Sequence, residues 1–109
     1  MINLEQETRE AVGDRTVAYG KVVWCGESDP TAYMYGRAPA ADGEAVFKGP
    51  EEFLAALTRM NFKYDDGYGG QFVFGTIVFT DGSWLTRGEY DGSEWWENHR
   101  CPPLAEVLR

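Results

Sequence analysis

The sequence predicts an α+β fold, a single domain in which a curled antiparallel sheet of five to six strands packs against one α-helix. Three observations lead to it. Two Asp-Gly pairs, Asp81-Gly82 and Asp91-Gly92, each sit between runs rich in aromatic and β-branched residues, a strong short-range signal for tight hairpins. The stretch TVAYGKVVW at residues 16–24 is β-rich and alternating. Gly49-Pro50-Glu51-Glu52 then opens a stripe of Phe53, Leu57 and Met60 at helical spacing.

Taken in order, residues 1–14 are polar, with Leu4, Ala11 and Val12 the only apolar points after Ile2, and read as a short helix or a flexible arm. In 16–24 the alternation places Val17, Tyr19 and Val23 on one face. Glu27-Ser28-Asp29-Pro30 is turn chemistry, because Asp and Ser bond nearby backbone and Pro fixes φ. Residues 31–37, with Tyr33 and Tyr35, read as the partner strand, and 45–48 as a short third strand. The helix starts at Pro50, whose missing N–H costs nothing in the first turn. Glu51 and Glu52 favour its positive end, and it ends near Met60-Asn61. Leu54 and Ala56 lie beside its apolar stripe. FKYDDGYGG at 62–70 is an acidic, glycine-rich loop. Cys101-Pro102-Pro103 stops strand pairing, and 104–108 allows one terminal helical turn.

The C-terminal half is a three-stranded meander over residues 71–80, 83–90 and 93–98. Two-residue turns at both Asp-Gly pairs set Phe79 opposite Trp84, Val78 opposite Leu85 and Ile77 opposite Thr86. They also set Arg87 opposite Trp96 and Glu89 opposite Glu94. One face then collects Val73, Ile77, Phe79, Trp84, Tyr90 and Trp95 as core. The other collects Phe74, Val78, Leu85 and Trp96 with Arg87, Glu89 and Glu94. Like charges directly opposite are destabilising in a purely structural sheet. From Tyr64 to His99 seven carboxylates meet one basic residue, Arg87, so this segment holds six of the chain's eight net negative charges. The cluster is either a solvated face that confers solubility or an acidic binding surface with aromatic anchors. Arg87 reads as an internal partner of Glu89 or a cation stacked on Trp96.

Composition narrows the function classes. The chain has 109 residues, is 43% hydrophobic and 15% aromatic, and carries a formal charge of −8. That describes one folded domain. The charge argues against direct binding to nucleic acid or anionic membrane and favours partners with basic surfaces. No apolar run approaches the ~18 residues of a membrane span, and the first twenty residues lack a signal-peptide pattern, so the expected location is the cytoplasm. Cys25 and Cys101 read as reduced thiols. His99-x-Cys101 is not a usual zinc spacing, and neither cysteine has a nucleophile context. The glycines of 67–70 lack any Walker or dinucleotide pattern. The expectation is no enzyme, no metal and no cofactor.

The stretch from Phe62 to Pro103, FKYDDGYGGQFVFGTIVFTDGSWLTRGEYDGSEWWENHRCPP, resembles a C-terminal pattern of small proteins encoded by phages and mobile elements. There a YD-x-GYG loop precedes DGSWL-x-RGEYDGSEWWE-x-H. The resemblance covers roughly the last two fifths of the chain and implies an anti-defence, anti-CRISPR-like protein. It further implies an inhibitor in the cytoplasm of the host bacterial cell that acts by binding and has no catalytic residues. The residues themselves suggest how: carboxylates placed where nucleic acid would present phosphates can occupy Lys and Arg sites on a CRISPR-Cas effector subunit. Asp65, Asp66, Glu89, Asp91, Glu94 and Glu97 are the candidate carboxylates, with Tyr68 and Trp96 as aromatic anchors. Trp84, Trp95 and Phe79 are assigned to the core. The expected assembly is a monomer or weak dimer. An immunity or antitoxin-like protein against a basic toxin would show the same charge, and a self-assembling phage structural or regulatory protein is the further alternative.

Overall fold

A computed structural model describes residues 2–26, 42–64, 71–90 and 93–101. The expected strand at 31–37, the turn at 27–30, most of the glycine-rich loop, the Asp91-Gly92 turn and the terminal helical turn lie outside the described residues.

The N-terminal segment resolves in favour of a helix. After a two-residue strand β1 (Ile2–Asn3), α1 runs over Leu4–Val12. Asn3 caps it, its side-chain oxygen accepting the Gln6 N–H at 3.0 Å. Glu5 and Glu7 sit in the first turn, and Gly13 closes the far end at φ +60° with its N–H on the Arg9 carbonyl. Leu4, Thr8 and Val12 form its buried stripe. Arg15 then folds back on this end, donating to the Val12 and Ala11 carbonyls at 3.3 and 2.7 Å. A cation there satisfies carbonyls that the helix leaves open.

The strands β2 (Val17–Trp24), β3 (Gly43–Lys48), β5 (Val73–Phe79), β6 (Trp84–Tyr90) and β7 (Ser93–His99) form one antiparallel sheet in the order β3-β2-β5-β6-β7. Helix α2 (Gly49–Leu57), a 3₁₀ turn (Thr58–Met60) and β4 (Lys63–Tyr64) lie between β3 and β5, and β4 pairs with β1. Among the described residues the fold is thus α+β as expected, a five-stranded antiparallel sheet packed against helix, with a second helix at the N-terminal segment and a two-stranded sheet beside it. The helical stripe behaves as expected, with Phe53, Ala56, Leu57 and Met60 buried, while Leu54 is exposed. The Phe53 and Phe47 rings meet at 5.2 Å. Gly20 on β2 makes room for that pair, because a Cβ there would lie 2.6 Å from the Phe47 ring.

Two phase errors separate the sequence reading from the fold. A bulge between Val17 and Tyr19 inverts the alternation of β2, so Val17, Val22 and Trp24 are buried while Tyr19 points out. The second lies in the first hairpin. Its connection is not two residues but three, Thr80-Asp81-Gly82. The Gly82 N–H closes the turn on the Phe79 carbonyl at 3.1 Å, and Phe79 N–H bonds the Ser83 carbonyl at 2.9 Å. Gly82 takes φ +89°, as the left-handed residue after a type I turn does. The pairs are therefore Val78 with Trp84, Ile77 with Leu85 and Thr76 with Thr86, one residue away from expectation. Within the next hairpin the expected register holds, with Arg87 opposite Trp96 and Glu89 opposite Glu94.

A slip of one residue turns every following side chain to the other face. Leu85, Arg87, Glu94 and Trp96 face the helices with Val73, Ile77 and Phe79. Trp84 and Trp95, expected in the core, lie on the opposite face.

Candidate functional site

The inward face of β6 and β7 holds a buried ion cluster. The Arg87 side chain is 1% exposed and the Glu94 side chain 0%. Arg87 Nη2 donates to Glu94 Oε1 and to the Tyr64 hydroxyl, both at 2.8 Å, and Nη1 donates to Glu7 Oε1 at 3.1 Å. The Tyr64 hydroxyl in turn donates to Glu7 at 2.6 Å. Arg87 also lies 4.8 Å from the centroid of the Trp96 ring, the stacking the sequence suggested. Its Nε is, among the described residues, a buried polar atom without a hydrogen-bond partner.

Glu94 has a second task. The ladder between β5 and β6 pairs Thr76–Val78, and nearer the start of β5 the Phe72 and Val73 N–H groups donate to the Glu94 carboxylate at 2.8 and 3.0 Å. Two backbone donors and a guanidinium thus keep the buried carboxylate oxygens hydrogen-bonded. Trp96 completes the cluster by donating its indole N–H to the buried Thr8 hydroxyl at 3.0 Å. Five segments (α1, β4, β6, β7 and the start of β5) meet at this point.

Electrostatically the cluster is locked rather than poised for proton transfer. Burial raises the Tyr64 phenol above its ordinary value, the hydrogen bond to Glu7 adds to this, and Arg87 only partly opposes it. Burial alone would lower the Arg87 value, but the charge of Glu7 and the bonds to Tyr64 and Glu94 hold it above the ordinary one. The groups are charged Arg and neutral Tyr across the working pH range, enclosed and bonded to one another except at Arg87 Nε. Such an arrangement fixes the fold around it.

The sequence-predicted site residues are therefore divided. Glu94 is buried, at 2% exposure, and belongs to the ion cluster rather than to a surface. Trp96 is half-buried against the core and is no free anchor. Glu89 is exposed and Glu97 partly so, so the carboxylates of Glu89 and Glu94, although paired across the strands, do not share an environment. Asp65, Asp66, Tyr68 and Asp91 lie outside the described residues. Glu7, Thr8 and Tyr64 were missed. Their one signal was indirect: a lone Arg in an aromatic, acidic meander needs partners, and a polar helix preceding it can supply them.

Among the described residues, neither helix nor buried ion cluster lies on the sheet's other face. Registers place Lys48, Tyr19, Val78, Trp84 and His99 in one row across the five strands, and Val46, Lys21, Thr76, Thr86 and Glu97 in the next. Tyr19, Val46, Phe74 and Trp95 are exposed here, Val46 by 60%. Trp84 stacks on the His99 ring at 5.5 Å, and His99 Nε2 is 2.7 Å from the Thr86 hydroxyl. Lys21 pairs with Glu44 at 3.6 Å. Trp95 donates its indole N–H to Glu97 at 3.3 Å.

Among the described residues no group of three or more His, Cys, Asp or Glu side chains is placed to hold a metal ion. Cys25 and Cys101 are free and exposed. No described helix is long and apolar enough to cross a membrane. The helix-side ion cluster ties the fold together, and among the described residues Glu89, Glu97 and the outward side chains of the sheet are accessible. Set against family models, curated proteins and solved structures, the chain finds no match in any of the three.

Proposed function

We propose that this protein acts by binding, as an acidic anti-CRISPR-type inhibitor that occupies the basic nucleic-acid-binding surface of a CRISPR-Cas effector subunit in the cytoplasm of a host bacterium. The observation that supports it most is where the counter-charge goes. Arg87, the one basic residue among seven carboxylates between Tyr64 and His99, is buried. Its charge is taken up by Glu7 and Glu94, while Glu89, Asp81 and Glu97 of the same segment reach solvent. Glu10, Asp14, Glu51 and Glu52 are exposed as well. A chain at −8 steers toward Lys and Arg surfaces whose affinity for nucleic acid is itself electrostatic.

The test is capture of purified CRISPR effectors at low and moderate salt by the wild type and by Glu89→Gln/Asp91→Asn/Glu97→Gln. Glu94 is left intact because it holds the fold. Salt-sensitive capture by the wild type, weakened at least about tenfold in the folded variant, is the expected result, since each rim charge acts mainly on association and salt dependence. Wild-type capture of no effector would overturn this reading, and capture of a basic nuclease toxin instead would establish the immunity-protein alternative.

A further inference from the structure

The end of the sheet where Arg15 sits carries a groove that neither the ion cluster nor the acidic carboxylates use. It opens between the last turn of α1 and the start of α2 and encloses about 270 Å³. Val12, Val17, Phe53 and Leu57 form its floor, with Leu54 at its lip. The floor residues are buried, whereas Leu54 is 53% exposed. We propose that the occupant of this groove is the chain's own segment 102–109, folded back across the end of the sheet.

Where the described chain stops argues for this occupant. His99 lies in the row of Trp84, Val78 and Tyr19, and the next row holds Ser83, Phe79 and Val17. The chain therefore leaves β7 level with the groove floor. Strand β2 is three strands away, about 14 Å at ~4.8 Å per strand. Fully extended, residues 102–109 reach roughly 26 Å. With 104–108 coiled into a helical turn they still reach about 17 Å. Arg100 and Cys101 line a second cavity together with Arg15, and Arg15 also lines the groove, so the departing chain stands at its mouth. The other segments outside the described residues join the sheet at its opposite end. Residues 27–41 connect beside Trp24 and Gly43, 65–70 lead toward Val73, and 91–92 link Tyr90 to Ser93.

The chemistry of the segment agrees. Pro102 and Pro103 have no N–H to continue the β7 ladder, so the chain must turn away from the sheet. Leu104, Val107 and Leu108 recur at the spacing that brings side chains to one side of a helical turn. Three large apolar groups can thus leave water together against Leu54, and the short connection makes the closure cheap in entropy. Glu106 and Arg109 cancel, so the chain's charge of −8 does not oppose the docking.

Trypsin cleavage after Arg100 in the full chain, with no effector present, tests this independently of the inhibitor reading. Cleavage there requires the flanking segment to detach. Leu104→Ser/Leu108→Ser on the segment and Leu54→Asp on the groove are each expected to speed it at least about tenfold, as loss of a buried leucine contact does. Combined, they are expected to be no faster than either alone, because both break one contact. In the wild type, methyl NOEs from Leu104, Val107 and Leu108 to Val17 and Leu54 are the second readout. They decide the matter if circular dichroism shows that Leu54→Asp does not fold. Unchanged cleavage in either variant, or rates that multiply in the combination, would overturn the proposal. So would a wild type whose segment methyls show no NOE to the groove.

Discussion

On β6 and β7, Leu85, Arg87, Glu94 and Trp96 face the helices, while their chain neighbours Trp84, Thr86, Trp95 and Glu97 face away. The two faces come from alternate residues of the same strands, and hydrophobicity alone would have sorted them the other way. Two tryptophans are left outward and a guanidinium with a carboxylate is buried. What decides is hydrogen-bond satisfaction. Glu94 answers two backbone N–H groups and Arg87, and both Arg87 Nη atoms find acceptors, so these ions are tolerated inside although Arg87 Nε goes without a partner. Of the tryptophans outside, Trp95 donates its indole N–H to Glu97 and Trp84 stacks on the His99 ring.

The sharpest way to break this comparison is to unbalance the inward face. Arg87→Ala strands Glu94 and Glu7 around an empty site and is expected to cost about 3–5 kcal/mol of stability, read as a drop in the urea midpoint. A loss under about 1 kcal/mol would show that the cluster does not hold the segments together. Tyr64→Phe is expected to cost less, about 1–3 kcal/mol, by removing a hydroxyl that bonds both Glu7 and Arg87. It also carries a pH signature. The phenol is raised in the folded state, so its contribution is complete below the unfolded value of ~10 and is lost as pH rises beyond it. The wild type should therefore lose stability above about pH 10 more steeply than Tyr64→Phe, as measured by denaturation across the alkaline range. The smallest effect belongs to the outward face, where Trp95→Ser, studied as the dilute monomer, is expected to change stability by no more than about 0.5 kcal/mol. A larger loss would mean that this face is already packed within one chain.

Much of this was legible from local chemistry. The α2 start at Gly49-Pro50-Glu51-Glu52, the stripe Phe53, Leu57 and Met60, and the pairing of Arg87 with Trp96 all follow from short-range rules, and all appear in the fold. The first hairpin misled because Asp-Gly serves two turns equally well. A two-residue turn needs both residues at positive φ, whereas the three-residue form needs only the glycine. The choice here falls to contacts outside the dipeptide. Asp81 accepts the Ser83 N–H at 2.8 Å, and Thr80 N–H bonds the carbonyl of Thr16, sixty-four residues earlier in the chain. The candidate surface was misjudged for the same reason, since Glu94 and Trp96 changed faces with the register.

The sequence by itself determined the fold class, the three strands of the C-terminal meander, the helical core stripe and the strongly acidic balance, because each depends on residues within a few positions of one another or on composition. Only the tertiary structure decided which side of the meander is inside. That choice rests on one extra loop residue held by Thr16, and on Glu7 and Tyr64 arriving from distant segments to make a buried arginine acceptable. Strand alternation has a period of two, so a single residue of loop length exchanges core for surface over two whole strands.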